Sequence, residues 1–120
     1  MSLEVSDLGR LGDIVAYGKR ALRHLGAMGM DEFCGDEKTQ DSVVRCLAVV
    51  GEAAWKMSDA LKRDNPAVPW PLVAGMRHKL VHDYGAVDSA TIYRVLREHL
   101  PLLVEQAEGI IARGGSTTRG

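Results

Sequence analysis

A chain of 120 residues is long enough to bury one core and too short for two domains. Its 15 lysines and arginines nearly cancel its 16 carboxylates, which excludes nucleic-acid binding by bulk charge and leaves any such contact to a local patch. Aromatic residues make up 5% of the chain, too few for the base-stacking surface of a sequence reader of single-stranded RNA.

Leu8, Leu11, Ile14, Val15, Ala21, Leu22, Leu25 and Met28 recur at helical spacing, with Arg10, Asp13, Lys19, Arg20 and Arg23 between them. They predict an amphipathic helix over about residues 6–28, capped by Ser6 or Asp7 and ended by Gly26 and Gly29. A short polar stretch, 31–38, follows with Phe33 as its one anchor. Thr39 or Asp41 can cap a second helix that turns Val43, Val44, Leu47, Val50, Ala54, Met57 and Leu61 inward until Asn65-Pro66 stops it. Gly51 within it permits close approach of another helix, at the core or at a dimer seam, or is simply tolerated. Pro66, Pro69 and Pro71 impose a tight connection, with Trp70 and Leu72 placed to plug the core.

A third helix is expected from about 72 to 84, where Gly85 can end it. Asp88 is a good cap for the last helix, with Val87 and Ile92 spaced as a hydrophobic staple. That helix should run to about residue 112 and bend at Pro101, whose ring removes a backbone hydrogen bond. The tail, 113–120, has no large apolar residue and is expected to lack fixed structure. The expected fold is an all-α, antiparallel bundle of four to five helices in one domain, residues 1–112.

No run approaches the roughly 18 apolar residues that a membrane span needs. Residues 1–5 lack the basic start and apolar core of an export signal. Cys34 and Cys46, the only cysteines, read as free thiols. The expected compartment is the cytoplasm.

The chemistry concentrates in Met76-Arg77-His78-Lys79-Leu80-Val81-His82-Asp83-Tyr84. Arginine, four residues, histidine, one residue and tyrosine supply a phosphate-binding cation, a titratable base and a phenol on one short segment. At about 100° per residue, Tyr84 returns to nearly the face of Arg77, while His82 lies about 140° away. One straight helix therefore cannot set all three side by side. Either the helix end bends them together, or a second copy of the helix completes the site. The bland reading of Arg77 and His82 is a buried ion-pair network with Asp83 or Glu52. Tyr84, between Asp83 and Gly85, reads as exposed at a helix end, or as packed on a dimer partner. His78 and His82 have the i, i+4 spacing of zinc ligands, but no third ligand is near in sequence. Lys79 is a candidate RNA contact, whereas the cations of the first helix read as its solvated face.

As a set these residues resemble the HepT-like toxins of the HEPN superfamily. The resemblance spans about residues 7–112. It rests on Thr39-Gln40-Asp41 with Arg45, Gly51-Glu52-Ala53-Ala54, Pro69-Trp70, Gly75-Met76-Arg77, His82-Asp83-Tyr84, Val87-Asp88 and Leu100-Pro101. One departure is His78, where the group usually carries a small polar amide. The resemblance implies a homodimeric, metal-independent ribonuclease without cofactors, in which Arg77 and His82 are catalytic and His78 and Asp83 accessory. It further implies the toxin half of a type VII-like toxin–antitoxin pair, silenced when an MntA-type minimal nucleotidyltransferase transfers AMP to Tyr84. The competing reading is a non-catalytic helical dimer that serves as substrate and scaffold for that transferase.

Overall fold

The computed structural model describes residues 3–80 and 88–114, with Arg77 described by its backbone alone. The first helix, α1 (Val5–Leu25), buries Leu11, Ile14, Gly18, Ala21 and Leu25 along one stripe. It stops short of the expected end because Gly26 takes φ 55°, in the left-handed region that favours glycine, while its N–H bonds the Leu22 carbonyl at 2.9 Å. Its cap position is Glu4, without a side-chain cap bond, and neither Ser6 nor Asp7 plays that part. Asp7 is 2% exposed and accepts instead from the backbone N–H and the hydroxyl of Ser58.

The polar stretch forms a short helix, α2 (Met30–Cys34), whose Phe33 is fully buried with its ring centroid 6.0 Å from that of Tyr93. The long helix α3 (Glu37–Lys56) is capped by Asp36, which accepts from the Thr39 N–H at 3.0 Å, rather than by Thr39 or Asp41. Val43, Cys46, Leu47, Val50, Gly51, Ala53 and Ala54 form its buried face. The expected single helix to Asn65 is interrupted at Met57 and Ser58, both extended, before α4 (Asp59–Asp64) begins. Ser58 accepts from the Leu61 N–H and is itself held by Asp7, so a contact from α1 breaks the run.

Trp70, 5% exposed, plugs the core as expected and donates through Nε1 to the Asn65 carbonyl at 3.0 Å. Leu72 does not: it is 57% exposed, on the outer side of α5 (Trp70–Ala74). Gly75 separates α5 from α6 (Met76–Leu80), so the expected continuous third helix is two short ones within the described residues. Its expected end at Gly85 lies outside them, as does the Val87 half of the staple.

Asp88 caps α7 (Ser89–Arg94) as expected, accepting from the Thr91 N–H at 3.2 Å and the Thr91 hydroxyl at 2.8 Å. A π-helical turn, Val95–His99, leads into α8 (Leu100–Ala112). Pro101 has no N–H to continue the α ladder, and the chain widens just before it. Of the expected loose tail, residues 115–120 lie outside the described residues.

α1 and α3 run antiparallel as the central pair: Arg10 near the start of α1 donates to the Lys56 carbonyl at the end of α3. α8 packs on the other side of α1, where a Cβ added at Gly18 would lie 2.6 Å from a Val104 methyl. α5 and α6 lean on α3, and α2 bridges α3 and α7. The described residues are all-helical, with no strand, and no helix among them is long and apolar enough to cross a membrane.

Candidate functional site

Among the described residues α6 covers Met76–Leu80, a stretch that leans on the core rather than on its own propensity. Met76 and Leu80, one turn apart, anchor it by burying 92% or more of their surfaces against the core. The opposite side carries His78 and Lys79, both exposed. His82, Asp83 and Tyr84 lie outside the described residues, and so does the side chain of Arg77. The described geometry of the motif is therefore that of α6 and of the two ends of segment 81–87. Those ends are pinned together, because the Asp88 N–H donates to the Leu80 carbonyl at 3.0 Å. Asp88 in turn fixes the start of α7, so the motif is held at both sides by the frame.

Glu52, offered as a buried partner for Arg77, is 49% exposed and 3.4 Å from Lys56. Its surroundings are those of a solvated pair, worth about 0–1 kcal/mol at most. Among the described residues no cluster of three His, Cys, Asp or Glu could hold a metal ion. His24 and His99 are exposed near helix ends.

Beside α6 lies a groove of about 460 Å³ that the sequence did not announce. Leu72, Met76, Leu80, Leu100 and Leu102 form much of its wall, with Lys79 and His99 among its polar members and no carboxylate among the described residues that line it. Leu72 and Leu102 are each 57% exposed. The only advance signal was an apolar residue at each of two positions where helical spacing also allowed a core role.

Several residues that carried the family resemblance turn out to be fastenings. Gln40, 8% exposed, donates to the carbonyls of Phe33 and Cys34 at 2.8 and 3.0 Å and so ties α2 to α3. Trp70 closes the proline-rich connection, Asp88 caps α7, and Leu100-Pro101 follows the π turn. Cys34 and Cys46 are both free thiols, the first exposed and the second buried. Burial pushes the Cys46 thiol above its ordinary value of 9.0, against the opposing pull of Arg20, Arg45 and Arg23.

The family model described as "Ribonuclease HepT-like" matches residues 14–110, a span that contains the whole motif from Met76 to Tyr84. Among curated proteins, "Putative RNase MJ0125" of Methanocaldococcus jannaschii is 33% identical over 101 residues, covering 84% of this chain and 87% of its own. "Putative RNase MJ1216" of the same organism is 34% identical over 101 residues, 84% of each chain. "Probable ribonuclease HepT" of Thermococcus cleftensis is 38% identical over 73 residues, 61% of this chain and 66% of its own. No solved structure gives a significant match. With a family match across most of its length and a motif that falls inside it, this chain belongs to the HepT-like ribonuclease family of the HEPN superfamily.

Proposed function

We propose that this HepT-like protein is an endoribonuclease that needs no metal, acts as a homodimer in the cytoplasm, and serves as the toxin of a type VII-like toxin–antitoxin pair. The observation that carries this reading is Arg77-x4-His82-x-Tyr84 inside the family-matched span, on a segment secured to the core through Met76 and Leu80. RNA brings its own nucleophile. The 2′-oxygen attacks the adjacent phosphorus, the bond from phosphorus to the 5′-oxygen breaks, and a proton moves from the first oxygen to the second. An imidazole titrating near about 6.5 suits both transfers, a task for His82. A guanidinium that stays charged can hold two phosphate oxygens in a fork, a task for Arg77. The products are a 2′,3′-cyclic phosphate and a 5′-hydroxyl. His78, Lys79 and Asp83 flank these groups, with Lys79 as an RNA contact.

Two arguments support the dimer. At helical spacing a histidine five residues after Arg77 would lie about 140° away, a divergence in the sequence that a second protomer can make good. The groove beside α6 also leaves Leu72 and Leu102 open. A second copy can thus bring its own exposed leucines to this groove, a self-complementary arrangement suited to a two-fold axis.

Regulation falls to Tyr84. In the proposed step its phenol oxygen attacks the α-phosphorus of ATP held by an MntA-type nucleotidyltransferase, and pyrophosphate leaves. The phosphodiester so formed is bulky and anionic, and it competes with RNA phosphate for Arg77. Induced expression of wild type and His82→Ala, with cellular RNA integrity followed in parallel, tests the central reading. Growth arrest with RNA fragmentation in the wild type alone is the expected result. Intact RNA in both would reduce the protein to a scaffold for the transferase.

A further inference from the structure

The cations of α1, which in sequence look like one solvated face, separate into two groups in the fold. Arg10 donates to the Lys56 carbonyl at 2.7 Å and lies 3.8 Å from Asp7. Lys19 pairs with Glu108 at 2.8 Å. Arg20 and Arg23, one turn apart, make no ion pair among the described residues, and neither does Arg45 on α3. Asp41, one turn before Arg45 and exposed, does not pair with it.

All three guanidinium-bearing residues are exposed, and their positions converge. α1 and α3 pack antiparallel, with the start of α1 tied to the end of α3 by Arg10 and the Lys56 carbonyl, so Arg20 and Arg23 in the last turns of α1 lie beside Arg45 in the first half of α3. The pull of all three on the buried Cys46 thiol agrees with that placement. The Arg20 guanidinium sits over the Tyr17 ring at 4.6 Å from its centroid, which steadies a long side chain without neutralising it. This end of the bundle is also the motif's end. There α2 packs on α7, Arg97 reaches the carbonyls of Gly26 and Met28 at 2.9 and 2.7 Å, and the Leu80 carbonyl of α6 accepts from the Asp88 N–H ahead of α7.

Three unneutralised arginines brought together by two helices, on a chain of net charge −1, are the local patch that bulk composition could not supply. We propose that Arg20, Arg23 and Arg45 form a phosphate-contact surface that holds the backbone of single-stranded RNA at the motif's end of the bundle. The proposal rests on the ribonuclease reading for the identity of its polyanion. Contacts of this kind set position and salt dependence and read no sequence.

The test uses the whole protein and a fluorescent, unstructured 20-nucleotide RNA with every ribose 2′-O-methylated, so that binding is read without cleavage. Dissociation constants are measured by anisotropy over a salt series. Each single-strand phosphate contact contributes about 0.7 to the slope of log affinity against log salt. Arg20→Gln/Arg23→Gln/Arg45→Gln should therefore flatten the slope by about 2 units. The charge-matched control Lys56→Gln/Lys62→Gln/Arg63→Gln, at the last residue of α3 and on α4 beyond it, should not. Replacing the three arginines by lysine should keep most of the slope. Should the triple-glutamine protein fold poorly, Arg45→Gln alone should still flatten the slope by about 0.7. Equal slopes for patch and control variants would overturn the proposal, as would a patch variant that keeps RNA but loses an acidic protein partner. Wild type that binds with the expected slope yet leaves unmodified RNA uncut would retire the ribonuclease reading and leave the phosphate surface standing.

Discussion

The central pair α1 and α3 and the arm formed by α5 and α6 use the same chemistry to opposite ends. The pair consists of helices of 21 and 20 residues that bury a continuous stripe in each other, so it combines length and burial. Of the arm, α5 has five residues and α6 covers Met76–Leu80 among the described residues; both are held by single anchors, Trp70, Val73, Met76 and Leu80, set into α3 and the core. An element fastened at a few points leaves its unburied side and its neighbours open to a ligand. The comparison teaches that frame and arm need not differ in composition, only in how much of each helix the core claims.

Substitutions on the two regions should therefore separate activity from stability. The largest effect is expected at His82→Ala, which should lower cleavage by about 10²–10⁴-fold with an unchanged melting temperature, since a positioned acid–base group contributes on that scale. Cleavage assays on purified protein beside a thermal melt check it, and normal activity would remove His82 from the site. On the frame, Phe33→Ala should cost about 3–5 kcal/mol by leaving a cavity between α2 and Tyr93, measured by urea unfolding. Asp7→Ala, which strips Ser58 of its partner, should cost about 1–3 kcal/mol and loosen the start of α4, a change visible in amide exchange. If it proves neutral, the α1–α4 tie is not what breaks the long helix. Smallest in stability is Leu102→Gln on the groove, within about 0.5 kcal/mol as for other surface changes. Light scattering should nonetheless show its mass falling from about twice 13.0 kDa towards the monomer. A thiol reagent offers a last contrast: Cys34 should be labelled in the native protein. Cys46 should stay protonated and protected until unfolding, its raised thiol value holding back the reactive thiolate as pH climbs through 9.0.

What the sequence made legible was local. The stripe of α1 and the Asp88 cap each depend on residues within a turn or two, and each is present; where a bend at Pro101 was expected, the structure has a π turn just before it. The break at Met57 and Ser58 was not legible, because the residue that holds Ser58 is Asp7, 51 positions away. The N-terminus of α3 lay at Asp36, just ahead of two polar residues that also qualify as caps. Leu72 looked like a core residue because spacing cannot tell a leucine facing the core from one facing an open groove. For the site, the order of short motifs identified the family, and the fold then revealed that Gln40, Trp70 and Asp88 in that series are structural. The arginine patch stayed hidden for a different reason: Arg45 is remote in sequence from Arg20 and Arg23, and only packing reveals which cations are already paired.

The π turn at Val95–His99 also sets the bookkeeping of the last helices. Ile92, Leu96 and Leu100 are almost wholly buried at intervals of four, yet in a uniform α-helix two such steps would drift about 80° around the axis. The wider turn absorbs that drift, so the stripe continues into Leu103, Val104, Ala107 and Ile110 without leaving the core. It acts like a one-residue insertion tolerated by the helix. Deleting a single residue between Val95 and His99 would restore ordinary pitch and leave the downstream stripe in place, because the seven remaining steps from Ile92 to Leu100 turn through about 700°, within about 20° of two whole turns. Val104 would still face the notch that Gly18 leaves in α1. A deletion beyond His99, where no wide turn can take it up, would instead swing Val104 about 100° away from that glycine.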